Sequence, residues 1–324
     1  MPNKSLLAVP NVSEGREPTT IRAIASAFLA QKGTRLLNVH SDPDHHRSVF
    51  TLAGVQGELS GCLLAGARAA LDRIDVGEGR DRAEIGAHPH VGALDVMPIV
   101  YLDAAQRGAA CAEALVVASE IGEQLGIPVF LYGELAGGRT RAELRRGGTL
   151  GLAERIGSGE LLPDYGPSRA HPTAGATLVA AREPLVAFNL ELAAPASLAD
   201  AKRIASLIRE GGVEGLPGLR AIGVPLQRGR GAREHHDAPR PRATGQARTS
   251  SSTEATVAQV SMNVERPLEV PLRAVVEAVR KHADVESAEL VGLAPRAALK
   301  DFPEDVAFPN FDPGADVIEN ALGF

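Results

Sequence analysis

The order of strands and helices in the second half of the chain most constrains its fold. Apolar runs of strand length alternate there with longer stretches whose apolar residues recur at helical spacing. Strands are predicted at 184–192, 219–226, 256–264 and 285–291, and helices at 197–210 and 268–282. This order, β-α-β-β-α-β, is the split βαβ arrangement. The first half, from Leu6 to about Leu102, repeats it with further helices behind it, so the sequence predicts an α/β (α+β) fold of two related subdomains.

Three segments rich in turn-forming or polar residues divide the chain further. The segment 163–177 contains too much Gly and Pro for a regular element, and it predicts a boundary between domains 1–176 and 177–324. Residues 228–252 have almost no apolar side chains. We interpret them as a disordered insertion between two paired strands, with a nucleic-acid-binding arm as the alternative. The prolines of the tail, 301–324, predict an extended segment that docks loosely.

The overall composition argues against several classes of protein. The net charge of −6 is not that of a general nucleic-acid-binding protein, and no apolar run reaches membrane-spanning length. The apolar run Leu6–Val9 is too short for the core of a signal peptide. Cys62 and Cys111, the two cysteines, lie in helical patterns and are typical of buried thiols in a reducing compartment. We therefore expect a cytoplasmic protein without nucleic-acid or membrane partners.

A pair of histidines one residue apart marks the candidate site. Pro89 lies between His88 and His90; it fixes its own φ and disfavours a helical conformation at His88. The apolar run Ala93–Leu102, which follows Gly92, is predicted to be a buried strand. A histidine held rigidly at the mouth of such a strand suits proton transfer, because its pKa lies near working pH. The alternative is a loop histidine that hydrogen-bonds a backbone carbonyl.

Many segments, spread almost from end to end, carry a resemblance to one family. In the first half they are Val9–Arg16, Asp42–Thr51, His88-Pro89 with Gly92–Val96, Pro128–Tyr132, Pro163–Pro167 and His171–Ala176. In the second half they are Phe188-Asn189, Ala201–Ala205, Val260–Asn263 and Glu289–Leu293. Together and in this order they resemble the glutamate formimidoyltransferase family, the N-terminal enzyme unit of formiminotransferase-cyclodeaminase.

The resemblance implies a fold, an activity and a set of site residues. The implied fold is two ferredoxin-like β-α-β-β-α-β subdomains packed through their sheets, in a homodimer. The implied reaction moves a formimidoyl group from N-formimidoyl-L-glutamate to N5 of tetrahydrofolate, a co-substrate, in histidine degradation. The family's catalytic histidine falls on His88. Its folate-binding segment falls on 166–175, with Gly166, Pro167, Ser168, Arg169, His171 and Gly175 as candidate folate-binding residues.

The chemistry of this reaction suits the residues. A general base takes the N5 proton and returns it to the departing nitrogen of glutamate, and an imidazole can do both. Both substrates carry carboxylates, so Arg47, Arg139 and Arg169 are candidates for cationic clamps. The candidate substrate-binding residues are Asn11, Asp42, Arg47 and His90.

The sequence also departs from the family pattern, and two alternatives follow. Family members usually have Lys-Gly-Glu before the catalytic histidine and Pro-Arg after it, whereas this chain has Ile85-Gly86-Ala87 and Pro89-His90. One alternative is therefore a folate-binding paralogue with a different one-carbon donor or little activity. The other is a metal-dependent hydrolase that uses a His/Asp cluster of potential ligands, namely His40, Asp42, Asp44, His45, His46, His88 and His90. However, Asp42–His45 already belongs to the transferase signature, and we predict no metal. A Rossmann-type nucleotide binder is excluded, because no Gly-rich turn joins a first strand to a helix.

Overall fold

Two compact units make up the chain, and each is built around one sheet. The structure, a computed structural model, describes residues 5–43, 45–77, 90–227, 256–309 and 311–323. The units are Met1–Pro184 and Leu185–Phe324. They divide after a strand at Thr177–Arg182 that the sequence analysis did not predict. This strand pairs with the first sheet, so it lies in the first unit and not in the predicted second domain, 177–324.

The first unit contains a seven-stranded mixed sheet. Its strands are β1 (Ser5–Ala8), β2 (Asn11–Val12), β3 (Thr34–Asp42), β4 (Arg47–Val55), β5 (Leu94–Val100), β6 (Val129–Leu131) and β7 (Thr177–Arg182), and its helices are α1 (Pro18–Phe28), α2 (Leu59–Leu71), α3 (Arg107–Leu125), α4 (Arg141–Leu144) and α5 (Gly148–Gly157). Both β1 and β2 pair with β4 and with β5, so they act as one interrupted strand. The order β3-β4-β1/β2-β5 is that of a split βαβ unit, which β7 and β6 extend in parallel.

Side chains at the helix ends and on the buried faces explain why the helices form where they do. Pro18 occupies the first turn of α1, where its missing N–H costs nothing, and Ile24 and Phe28 are fully buried on the core face. The carboxylate of Glu113, on α3, accepts the backbone N–H groups of Gly57 and Ser60 at 2.6 and 2.9 Å. This buried side chain therefore caps the start of α2 and ties α2 to α3.

The second unit is a four-stranded antiparallel sheet in the order β11-β8-β10-β9. Its strands are β8 (Val186–Leu192), β9 (Leu219–Gln227), β10 (Thr256–Val264) and β11 (Val285–Val291), and its helices are α6 (Leu198–Ile208), α7 (Leu272–Arg280), α8 (Pro313–Asp316) and α9 (Ile318–Leu322). Ser197 and Asp200 form a capping box at the start of α6. The predicted α/β class and the repeated β-α-β-β-α-β order are both confirmed.

The C-terminal tail is an integral part of the second unit. Phe302 and Phe308 pack edge-on against the buried ring of Phe188, with centroids 6.1 and 6.2 Å away. The N–H of Ala288 donates to the carbonyl of Ala307 at 2.8 Å. The prediction of a loosely docked tail is wrong, because its aromatic residues complete the core while its prolines set the turns between them.

Two further findings bear on the predicted organisation. Residues 228–252, the predicted insertion, lie outside the described residues. The strands on either side, β9 and β10, pair antiparallel, with Leu219 opposite Val264 at one end and Gln227 opposite Thr256 at the other. Cys62 and Cys111 are both free thiols. Across the described ranges, the helices are too short or too polar to cross a membrane.

Candidate functional site

A concavity at one end of the first sheet collects residues from three separate segments. Its lining consists of Val12, Ser13, His45, His46, Arg47, His90 and Asp95. Val12, at the end of β2, pairs with Ser48 of β4 and with Leu94 of β5. Antiparallel pairing therefore brings the end of β2, the β3–β4 turn and the start of β5 together, although they are far apart in sequence.

The β3–β4 turn is held by the carboxylate of Asp42. One oxygen accepts the backbone N–H of His45 at 3.0 Å, and the other lies 2.7 Å from His45 Nδ1. The N–H of Gly15 donates to His46 Nδ1 at 3.0 Å from the neighbouring segment. A Cβ at position 15 would come 2.6 Å from the backbone N of Arg47 and closer still to the carbonyl of Asp42, so the close approach requires glycine.

The surroundings of His46 favour its neutral form. Burial lowers the pKa of the His46 imidazole, and the charges of Arg16 and His90 lower it further. The carboxylate of Glu14, 3.4 Å from Nδ1, opposes that shift. Since the neutral ring accepts the Gly15 N–H, His46 serves the turn as a hydrogen-bond acceptor.

Arg47 supplies a fixed positive charge to the concavity. It begins β4 opposite Asp42 and is half-buried. Burial lowers the pKa of its guanidinium, Asp42 and Asp95 raise it, and Arg145 and Arg141 lower it. An arginine nevertheless stays protonated at any physiological pH. The concavity therefore carries a cation that can meet an anionic group.

The turn that follows the His-Pro-His segment is fixed by a buried ion pair. Asp95, which is 2% exposed, accepts the backbone N–H of Val91 at 2.9 Å and pairs with Arg145, directly after α4. The hydroxyl of Thr149 donates to the carbonyl of His90 at 3.3 Å. Residues 90–92 are therefore held by β5 on one side and by the α4–α5 region on the other.

The sequence analysis missed the roles of Asp95 and Arg145. The available signal was a carboxylate inside the otherwise apolar run Ala93–Leu102, because a buried charge needs a partner. That signal identifies Asp95 but not its partner, since Arg145 lies on a different element.

The predicted folate segment meets the same turn at one end. At its start, the N–H of Val129 donates to the carbonyl of Tyr165 at 2.9 Å. At its other end, His171 exchanges backbone hydrogen bonds with Gly175, and Gly175 bridges to Gly92. Ser168 and Arg169 between them are exposed, together with Gly166, while Pro167 is half-buried. The structure thus joins the Gly175 end of this segment to the turn after His90.

The remaining predicted residues have mixed outcomes. Asn11 lies in β2 beside the concavity residue Val12, and its Nδ2 donates to the carbonyl of Val9 at 2.9 Å. Arg139, a predicted clamp, instead donates to the carbonyl of Leu131 at 2.9 Å and pairs with Asp164, so it holds the loop after β6.

The predicted catalytic histidine, His88, lies outside the described residues, as does Asp44 of the His/Asp cluster. Among the side chains that are described, no group of three or more His, Cys, Asp or Glu residues is placed to hold a metal ion.

Comparisons with known proteins agree with this architecture. A family model, the N-terminal subdomain of the formiminotransferase domain, matches residues 5–182. Glutamate formimidoyltransferase of Streptococcus pyogenes serotype M1 is 32% identical over 98% of this chain and 99% of its own length. The Thermoplasma acidophilum protein of that name is 31% identical over 90% of this chain and 89% of its own. Formimidoyltransferase-cyclodeaminase of Gallus gallus is 33% identical over 93% of this chain, which spans only 52% of that longer protein. The chain therefore belongs to the formiminotransferase family.

Proposed function

We propose that the protein is a glutamate formimidoyltransferase, which moves the formimidoyl group of N-formimidoyl-L-glutamate to N5 of tetrahydrofolate in histidine degradation. Two relatives that carry this name match nearly the whole chain, which supports the proposal. Tetrahydrofolate is the co-substrate, and we propose that residues 166–175 bind it, as the family resemblance implies.

The observation that carries the proposal is that a cation and several imidazoles line one concavity. Arg47 lines the concavity together with His45, His46 and His90. A guanidinium can bind a substrate carboxylate through two parallel hydrogen bonds. Imidazoles can take up and release a proton near neutral pH. Carboxylate binding and proton transfer are the two requirements of this reaction, because the formimidoyl group moves between two amines and both substrates carry carboxylates.

The reaction needs a group that holds a proton for a short time. N5 forms a bond to the formimidoyl carbon and loses a proton, and the bond from that carbon to the glutamate nitrogen breaks as that nitrogen gains one. We propose His88 as a general acid and base for this exchange. The Asp95–Arg145 pair fixes the turn at residues 90–92, which lines the same concavity through His90.

An assay with both substrates tests the proposal. Purified protein is mixed with tetrahydrofolate and N-formimidoyl-L-glutamate, and mass spectrometry follows free glutamate and formimidoyl-folate. We expect equal amounts of the two products. His88→Ala lowers kcat by about 100-fold or more, while folate binding by calorimetry is retained. Arg47→Lys loses bidentate carboxylate binding and raises KM for the donor by about tenfold.

Other outcomes identify the alternatives. Folate binding without glutamate release would favour a paralogue with another one-carbon donor. Absence of folate binding would reject the folate-dependent functions. Stoichiometric metal that a chelator removes together with a hydrolytic activity would favour the metal-dependent hydrolase, whose ligands would then include residues outside the described ranges.

We also propose that the protein is a cytoplasmic homodimer, as the family resemblance implies. Two free thiols are compatible with a reducing compartment. Sedimentation equilibrium should give about twice the chain mass of 33.8 kDa, and a monomer mass would refute the dimer. Cell fractionation tests the compartment.

A further inference from the structure

The β3–β4 turn contains a carboxylate–imidazole pair that the mechanism above does not use. Asp42 Oδ2 lies 2.7 Å from His45 Nδ1, and the two side chains are 8% and 21% exposed. Asp42 Oδ1 accepts the backbone N–H of His45 at 3.0 Å. The backbone bond fixes the carboxylate, and the carboxylate fixes the ring.

This pair determines where the ring carries its proton. An ionised carboxylate can only accept hydrogen bonds, so Nδ1 of His45 is the protonated nitrogen and the lone pair of the neutral ring lies on Nε2. The carboxylate also balances the positive charge that the ring gains when Nε2 takes up a second proton. His45 lines the concavity.

The neighbouring histidine has a different arrangement. The Nδ1 of His46 accepts the Gly15 N–H at 3.0 Å, and burial lowers the pKa of its imidazole, so its ring is committed to the neutral acceptor form. Among the residues that the structure describes, the charged or titratable groups that share this end of the sheet with His45 include Arg47, His90 and Asp95 in the concavity, with Glu14 and Arg16 beside His46.

We propose that His45, oriented by Asp42, is a second proton-transfer group of the formimidoyl transfer. The proposal rests on the proposed function. Nε2 of His45 takes the proton that N5 loses as N5 bonds to the formimidoyl carbon. His88, proposed above as an acid and base, gives a proton to the glutamate nitrogen as its bond to the same carbon breaks. Exchange with solvent returns each ring to its starting state, so the protons balance and no oxidant or reductant is required.

Four substitutions in the protein test this role. We compare His45→Gln, His45→Ala and Asp42→Asn with His282→Gln, measuring kcat and KM for both substrates from about pH 5.5 to about pH 8.5. His282 is a matched control, because its Nε2 lies 3.0 Å from Glu214 Oε1 in a similar pair of the second unit, and it is not part of the concavity lining.

We expect His45→Gln to lower kcat by about 100-fold or more with little change in KM. In a plot of kcat against pH, the variant should also lack one of the decreases that the wild type shows toward low pH. Asp42→Asn keeps an oxygen for the His45 N–H but sets an amide against Nδ1, so it selects the wrong tautomer and lowers kcat similarly. Imidazole added to the buffer should restore part of the activity of His45→Ala. His282→Gln should keep the wild-type pH profile.

Three results would overturn the proposal, and they are distinguishable. If the wild type releases glutamate and His45→Gln keeps its kcat and pH profile, the role of His45 alone is refuted. The same holds if kcat falls only in proportion to the folded fraction measured by circular dichroism, with an unchanged pH profile and no rescue by imidazole. If the wild type releases no glutamate from the formimidoyl donor, the proposed function fails and the role of His45 fails with it.

Discussion

The buried ion pair between Asp95 and Arg145 gives a quantitative test of how the site is held together. Removing one partner of such a pair costs about 3–5 kcal/mol, because the remaining charge stays desolvated. The side chains of Asp95 and Arg145 are 2% and 16% exposed, and the partial exposure of the guanidinium places Asp95→Asn near the lower limit, at about 3 kcal/mol. Asparagine keeps an oxygen for the Val91 N–H. Asp95→Ala does not, so it should cost about 1–3 kcal/mol more.

Urea unfolding followed by circular dichroism measures these changes, and the adjacent arginine provides a control. Arg146 pairs with Glu160 at 3.0 Å, but the two side chains are 71% and 57% exposed. We expect Arg145→Met to cost about 3 kcal/mol and Arg146→Met less than about 1 kcal/mol. For a unit of this size, about 3 kcal/mol corresponds to a fall in Tm of roughly 6–12 °C.

A double-mutant cycle decides whether the effect belongs to the pair. Asp95→Asn combined with Arg145→Met removes both charges, so no unpaired charge stays buried. The loss in the free energy of unfolding should therefore be about 2 kcal/mol smaller than the sum of the losses in the two single variants. Strict additivity, or an Arg145→Met variant no less stable than Arg146→Met, would refute the reasoning.

Two further predictions concern the same end of the sheet. A Cβ on Gly92 would lie 2.5 Å from the carbonyl of Ala174 and closer to that of Ala176, so Gly92→Ala should cost about 3 kcal/mol. Gly108→Ala, in open space on α3, should stabilise the protein by up to about 1 kcal/mol. Thermal unfolding of both variants tests this, and equal changes in their stability would contradict the packing described. The pKa of His46 in the folded protein lies below its ordinary value of about 6.5. As the pH is lowered, His46 is therefore protonated in the unfolded chain before it is protonated in the folded one. The free energy of unfolding consequently falls as the pH drops below about 6.5. His46→Asn keeps an acceptor and tolerates the φ of 50°, so it should lose less stability than the wild type between about pH 7.5 and about pH 5.5; identical losses in urea unfolding would contradict this.

Local signals in the sequence predicted most elements of the second unit. The predicted strands 256–264 and 285–291 coincide with β10 and β11. The predicted helix 197–210 contains α6, and Ser197 caps it. These features depend on side-chain periodicity and on capping residues within a few positions, so a single sequence carries them.

Features that depend on distant partners were not predictable in this way. The strand β7 is short and follows a Gly- and Pro-rich segment, and its place is set by parallel pairing with β5. The helix α5 was also missed, although its Thr149 contacts the His90 carbonyl. The partner of Asp95 lies on another element, and periodicity along the chain contains no information about it.

The signature segments combine structural and chemical requirements, and the structure separates the two. Gly15, in the resembling segment Val9–Arg16, must be glycine here because any Cβ would collide with the Asp42–Arg47 turn. His46 is held by the Gly15 N–H and so depends on that same close approach. His45 differs from both, since its ring is fixed by a carboxylate while it lines the concavity. A residue's presence in a signature is therefore weak support for contact with substrate. A side chain that another side chain orients and that also lines the concavity is a stronger candidate, and His45, whose Nδ1 lies 2.7 Å from Asp42 Oδ2, is one.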